Sequence, residues 1–290
     1  MKKSRKLATL GICSALFLGL AACQQQHATS EGTNQRQSSS AKVPWKASYT
    51  NLNNQVSTEE VKSLLSAHLD PNSVDAFFNL VNDYNTIVGS TGLSGDFTSF
   101  THTEYDVEKI SHLWNQKKGD FVGTNCRINS YCLLKNSVTI PKLEKNDQLL
   151  FLDNDAIDKG KVFDSQDKEE FDILFSRVPT EATTDVKVHA EKMETFFSQF
   201  QFNEKARILS VVLHDNLDGE YLFVGHVGVL VPADDGFLFV EKLTFEEPYQ
   251  AIKFASKEDC YKYLGTKYAD YTGEGLAKPF IMDNDKWVKL

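Results

Sequence analysis

Two stretches about a hundred residues apart decide the reading of this chain: Gly123-Thr124-Asn125-Cys126-Arg127-Ile128-Asn129-Ser130-Tyr131 and Gly225-His226-Val227-Gly228-Val229-Leu230-Val231. The first predicts a helix start. Thr124 or Asn125 serves as N-cap, and Ile128, Tyr131, Cys132 and Leu134 form the buried stripe. A thiol in a first helical turn lies near unpaired N–H groups and the positive end of the macrodipole. Both lower its pKa, and the thiolate is the nucleophile. Arg127 adds positive charge. The second stretch predicts a strand whose alternation places Leu222, Val224, His226, Gly228 and Leu230 on one face. A thiol facing a strand-borne imidazole is a nucleophile–base pair. Gly228 removes a side chain beside His226 and leaves room there for a substrate backbone.

Working outward, the C-terminal third reads as sheet, with strands over 206–214, 221–231, 237–245 and 249–254. A helix capped by Ser256 and a last strand over 280–282 follow. An even loop between the second and third strands puts Glu241 on the His226 face, and an odd loop puts Lys242 there. The imidazole needs an acceptor for its second nitrogen, so Glu241 is the expected third member, with Gln250 the fallback. The oxyanion donor stays open among Asn125, the Cys126 N–H and Gln116. The N-terminal part reads as helices: one with a capping box at 57–60, others over 73–87, 104–116, 168–176 and 184–200. A short strand is expected at 149–152. Helices first and antiparallel strands after predict an α+β fold, N-terminal helices packed on a C-terminal antiparallel sheet.

With these residues in place, the region from about 120 to 244 resembles the papain-like amidases and peptidases of the bacterial NlpC/P60 type. In that group a helix-borne Cys precedes a His in a His-(Ile/Val)-Gly-(Ile/Val) strand, matched here by His226-Val227-Gly228-Val229, and a polar residue on the next strand orients the imidazole. Asn125-Cys126-Arg127 departs from the group's usual Asp-Cys followed by small residues. The resemblance implies a papain-like fold, catalytic Cys126, His226 and Glu241, and hydrolysis of amide bonds in cell-wall peptides. The whole chain also resembles a family of Gram-positive surface lipoproteins.

The first residues read as a targeting segment. Lys2, Lys3, Arg5 and Lys6 precede an apolar run over 7–20 that is too short to span a bilayer comfortably. Leu20-Ala21-Ala22-Cys23 resembles a bacterial lipobox, which implies lipidation of Cys23. The expected organisation is a signal peptide over 1–22, a Gln/Ser/Thr-rich tether over 23–44, and a single domain over 45–290. The mature protein is then held by lipid on the outer face of the cytoplasmic membrane. Cleavage removes four cations and no anions, taking the net charge from −9 to −13. Such an acidic domain is a poor partner for nucleic acid.

Of five cysteines, three remain in the folded part: Cys126, Cys132 and Cys260. Cys126 and Cys132 are about 9 Å apart along a helix axis, too far to bridge. Cys132–Cys260 or Cys126–Cys260 could pair, and only the former leaves Cys126 reactive. Asp153-Asn154-Asp155-Ala156-Ile157-Asp158 clusters carboxylates but lacks the glycine and spacing of a calcium loop. No cofactor or metal is expected. Two readings compete. A lipid-anchored cysteine hydrolase requires the Cys126 thiol in hydrogen-bonding range of the His226 ring, in an open cleft. A non-catalytic surface module that binds a peptide, glycan or protein partner predicts a buried or disulfide-bonded Cys126.

Overall fold

The computed structural model describes residues 46–100 and 103–290. The signal segment, Cys23, the tether, Trp45 and His102 lie outside the described residues. In chain order the elements are β1 (Ala47–Thr50), α1 (Gln55–Ser66), α2 (Pro71–Val88), β2 (Thr98–Ser99), α3 (Val107–Lys118) and α4 (Cys126–Leu134). Then come α5 (Phe151–Gly160), α6 (Ser165–Leu174), β3 (Val178–Pro179), α7 (Val186–Phe197), β4 (Arg207–Asp215) and β5 (Tyr221–Ala233). The chain ends with β6 (Gly236–Lys242), β7 (Tyr249–Phe254), α8 (Lys257–Lys267), β8 (Phe280–Asp283) and β9 (Lys286–Val288).

The fold is α+β. One antiparallel sheet runs in the order β2-β1-β7-β6-β5-β4-β8-β9, with β3 pairing to β5. Its central strands are buried on both faces, as their continuous β-branched runs require. On one face Val212, Val224, Val227, Val229 and Val240 pack with Ile128 and Tyr131 of α4 and Phe77 of α2. On the other, Leu209, Val211, Leu230, Phe239 and Ile252 pack with Tyr261, Tyr263 and Leu264 of α8. The sheet is therefore covered on both sides, and it is not purely C-terminal. β1 extends one flank by pairing with β7, Tyr49 opposite Ile252, and the short β2 pairs outside it.

Local chemistry sets the helix starts. Asn54 caps α1 through the Ser57 N–H (2.9 Å), so the cap lies before the capping box expected at 57–60. Asp70 caps α2 through Ser73 N (3.0 Å), and Pro71 occupies its first turn, where a missing N–H costs nothing. The strand expected at 149–152 is instead a 3₁₀ turn running into α5. Only Leu150 of that run is buried, and Phe151 is 48 % exposed, so a short apolar run was no guide to strand.

The decisive local feature is a bulge. β4 and β5 pair Val211 with His226 and Val212 with Val224, which leaves Gly225 as the extra residue. A Cβ there would come within 2.3 Å of the Leu213 side chain. The bulge inverts the alternation. Leu222 and Val224 share the α4 face with Val227 and Val229, while His226, Gly228 and Leu230 turn toward α8. The expectation that residues 222–230 alternate onto one face fails for this reason.

Candidate active site

Cys126 opens α4. Asn125 caps the helix by accepting from Ile128 N (3.1 Å), and its amide donates to Asp153 (2.7 Å). Arg127 grips the same carboxylate with two bonds, Nε to Oδ1 (2.9 Å) and Nη2 to Oδ2 (2.7 Å), and donates to the Val224 carbonyl (2.9 Å). Asp153, read from sequence as part of a carboxylate cluster, is thus a helical residue of α5 committed to Arg127. This fork ties the start of α4 to α5 and to the strand just before the Gly225 bulge. Further along α4, Asn129 donates to Thr124 (2.9 Å) and accepts from Tyr249 OH (3.0 Å).

The β5–β6 loop contains two residues, Asp234 and Asp235, with Ala233 opposite Gly236. The even loop puts Glu241 on the His226 face. The β5–β6 ladder ends at Val229–Val240, and α4 packs against both strands. At this fork the Cys126 thiol and the His226 ring lie near enough to shift each other's ionisation. His226 Nε2 is bonded to Glu241 Oε2 at 2.5 Å, so Nδ1 is the ring nitrogen that Glu241 does not engage. The second carboxylate oxygen accepts from Tyr263 OH and from Lys267 Nζ (3.4 Å), and Lys267 also donates to Tyr263 OH (2.8 Å). The Tyr268 ring stacks on the imidazole, 4.9 Å between centroids and 22° between planes.

These contacts decide the charges. Burial pushes the Cys126 thiol up, but the His226 imidazolium, the hydrogen bond to it and Arg127 outweigh burial and hold it below the ordinary thiol range. Burial pushes His226 down, and the Cys126 thiolate and Glu241 overcome that and hold it above the usual histidine value. Burial also opposes ionisation of Glu241, yet Lys267, His226 and Tyr263 hold it at about 2. The other two thiols lack such partners. Burial lifts Cys132 to about 12 and Cys260 well above its ordinary value. All three cysteines are free thiols, so neither of the two possible pairings forms.

Two features differ from the open cleft expected of a hydrolase. Cys126, His226 and Glu241 are 6 %, 2 % and 1 % exposed. Gly228 gives no room to a substrate, because a Cβ there would stand 2.3 Å from the Phe239 ring and 2.8 Å from the Val240 carbonyl. Of the other expected residues, Gln250 pairs opposite Glu241 but donates to Tyr105 OH (2.7 Å). Gln116 lies exposed on α3 beside His112. Asn125 is spent on capping, so the Cys126 N–H is the oxyanion donor left from the expected set. Lys242 points away from His226 into a cage of carbonyls. Sequence reasoning offers Tyr263 and Tyr268 only as members of a possible tyrosine binding wall near the C-terminus, tying neither to His226, and does not single out Lys267. Tyr263 and Lys267 are spaced i, i+4 on α8, but nothing local shows that this helix covers His226.

No curated protein and no solved structure matches this chain. A family model described as "Domain of unknown function (DUF4300)" matches residues 48–288, and the chain belongs to that family.

Proposed function

We propose that this protein is a papain-like cysteine hydrolase acting on amide bonds of peptides at the outer face of the cytoplasmic membrane, held there by lipid on Cys23. The observation that supports the chemistry is the linked set Cys126–His226–Glu241, with Glu241 oriented by Tyr263 and Lys267. The lipobox-like Leu20-Ala21-Ala22-Cys23 supports the anchor.

In the proposed mechanism His226 holds the thiol proton and the Cys126 sulfur attacks the amide carbonyl. The oxyanion draws on the helix-start N–H groups of α4. His226 then gives its proton to the leaving nitrogen as the C–N bond breaks, and a thioester remains on Cys126. Water, deprotonated by His226, releases the acid and restores the thiol. Glu241 stays ionised throughout and fixes the ring.

The test is hydrolysis of a peptide-amide library by the wild-type and Cys126→Ala proteins. Activity present in the first and lost in a folded Cys126→Ala supports the reading. Equal activity in both, or none in the wild type with Cys126 inert to iodoacetamide, overturns it. The near-complete burial of Cys126 and the ring filling the Gly228 gap favour a second reading, a papain-like surface module that binds a peptide, glycan or protein without cleaving it. That module would leave Cys126 unreactive.

A further inference from the structure

The chain between α8 and β8 is an irregular segment with a buried residue near each end. Tyr268 closes α8, its N–H donating to the Leu264 carbonyl (3.1 Å), and its ring stacks on His226. Further on, the Ala277 N–H donates to His214 Nδ1 (3.1 Å). Residues 269–275 between them are all exposed. Local turns shape them: Tyr271 N–H donates to the Tyr268 carbonyl (3.1 Å), and Leu276 N–H to the Gly273 carbonyl (3.2 Å). Gly275 stands at φ +76°, a left-handed conformation that residues with a Cβ adopt at a cost.

Aromatic rings step outward from the imidazole along this segment. His226 is 2 % exposed, Tyr268 stacked on it 8 %, and Tyr271, 5.3 Å from Tyr268 between ring centroids, 42 %. Tyr268 is thus the ring that stands between the buried imidazole and a ring in solvent. A nucleophile that attacks a peptide has to be reached by it, and Cys126 and His226 as they stand are closed to one. The body of α8 stays down, because Tyr261, Tyr263 and Leu264 are core residues packed on the sheet. The segment after it is free to lift. Exposed backbone held by local turns lies at the low end of local stability, and the last turn of a helix frays. The Tyr268 stack and the Ala277–His214 bond hold it down.

We infer, resting on the thiol chemistry proposed above, that residues 268–279 are a strap that closes over the Cys126–His226 pair with Tyr268 as its plug, and that the strap lifts to admit the peptide.

The test times iodoacetamide labelling of Cys126 against Cys132, which lies on the same helix and reports opening of the core. It compares the wild type, Tyr268→Ala and Ala277→Pro, and follows peptide-amide hydrolysis by the same proteins. Ala277→Pro deletes the N–H held by His214 and leaves Tyr268 and the pair unchanged. Tyr268→Ala is expected to speed labelling about tenfold, as loss of a stacked aromatic pair allows. Ala277→Pro is expected to speed it about fivefold, for one backbone hydrogen bond. Tyr268→Phe keeps the ring and is expected to stay near the wild-type rate. Where Ala277→Pro does not fold, Gly275→Ala, strained at its left-handed φ, replaces it with the same expectation. Labelling unchanged in both variants overturns the strap. So does a gain in one alone: with Tyr268→Ala alone the ring is a fixed cover, and with Ala277→Pro alone it is no plug. In each of these cases hydrolysis by the wild type leaves the thiol reading standing. Faster labelling in both variants with no hydrolysis by any of the proteins overturns the thiol reading, and with it the strap's role in admitting a peptide.

Discussion

Replacing His226 by alanine should slow alkylation of Cys126 about tenfold at pH 7. The direction follows from a comparison inside one helix. Cys126 and Cys132 both belong to α4 and are 6 % and 3 % exposed. Burial, with no imidazole nearby, takes Cys132 to about 12. Burial opposes ionisation of Cys126, yet its pKa lies below the ordinary thiol value, and His226 supplies the largest opposing effect. An adjacent opposite charge is typically worth about one to three pKa units, or about 10- to 10³-fold in thiolate fraction. A more basic thiolate is a better nucleophile, and a Brønsted slope of about 0.45 returns roughly half of that on a logarithmic scale. About tenfold remains. The assay is iodoacetamide labelling of folded protein, resolved by cysteine, with Cys132 and Cys260 as internal standards of similar burial. Circular dichroism and the thermal midpoint check that the variant folds. Wild-type Cys126 reacting no faster than Cys132 would refute the reasoning, as would a loss under about threefold in a folded variant.

Glu241→Gln should flatten the acid limb of stability. Glu241 falls from 4.5 to about 2 on folding, so its contribution is full above pH 4.5 and lost as pH falls through about 2, on the order of 3 kcal/mol. Urea unfolding at pH 7 and pH 2 should show that difference in the wild type and not in the variant. Arg127→Met strands the Asp153 carboxylate, whose side chain is 1 % exposed, and should cost about 3–5 kcal/mol of unfolding free energy; a loss under about 1 kcal/mol would contradict the clamp. Gly228→Ala forces Phe239 or the Val240 carbonyl to move and should lower stability by about 1–3 kcal/mol. A change in peptide binding without that loss would restore Gly228 as a substrate gap.

What the sequence shows of this site is what short-range chemistry controls. Asn125 two positions before Arg127 announces the start of α4, because a side-chain acceptor there satisfies the Ile128 N–H. The loop between Ala233 and Gly236 sets the parity that puts Glu241 with His226. The alternation of 222–230 misled because the Gly225 bulge depends on register with β4, and register is a property of two strands. Tyr263 and Lys267 reach Glu241 only after α8 folds back across the sheet. β1 finds β7 about two hundred residues later, a pairing that no window of periodicity contains. The burial of Cys126 is likewise a sum over distant elements.

His214 gives an internal comparison for His226. Its Nε2 is held by Glu220 at 2.7 Å, as His226 Nε2 is held by Glu241, and its Nδ1 accepts the Ala277 N–H at 3.1 Å. Both ring nitrogens of His214 are thus consumed by structure, one by a carboxylate and one by an amide that holds the chain before β8. His226 has the same carboxylate arrangement, and the group that titrates with it is the Cys126 thiol rather than a backbone donor. A backbone amide cannot give up its proton, whereas a thiol can. Transfer from Cys126 to His226 leaves the net charge of the buried group unchanged, so the cost of burying an unpaired ion is avoided in both states. Glu241, kept ionised by Lys267, His226 and Tyr263, favours the state with the proton on His226. What separates the two histidines is thus the Cys126 thiol beside His226, on which the proposed proton exchange depends.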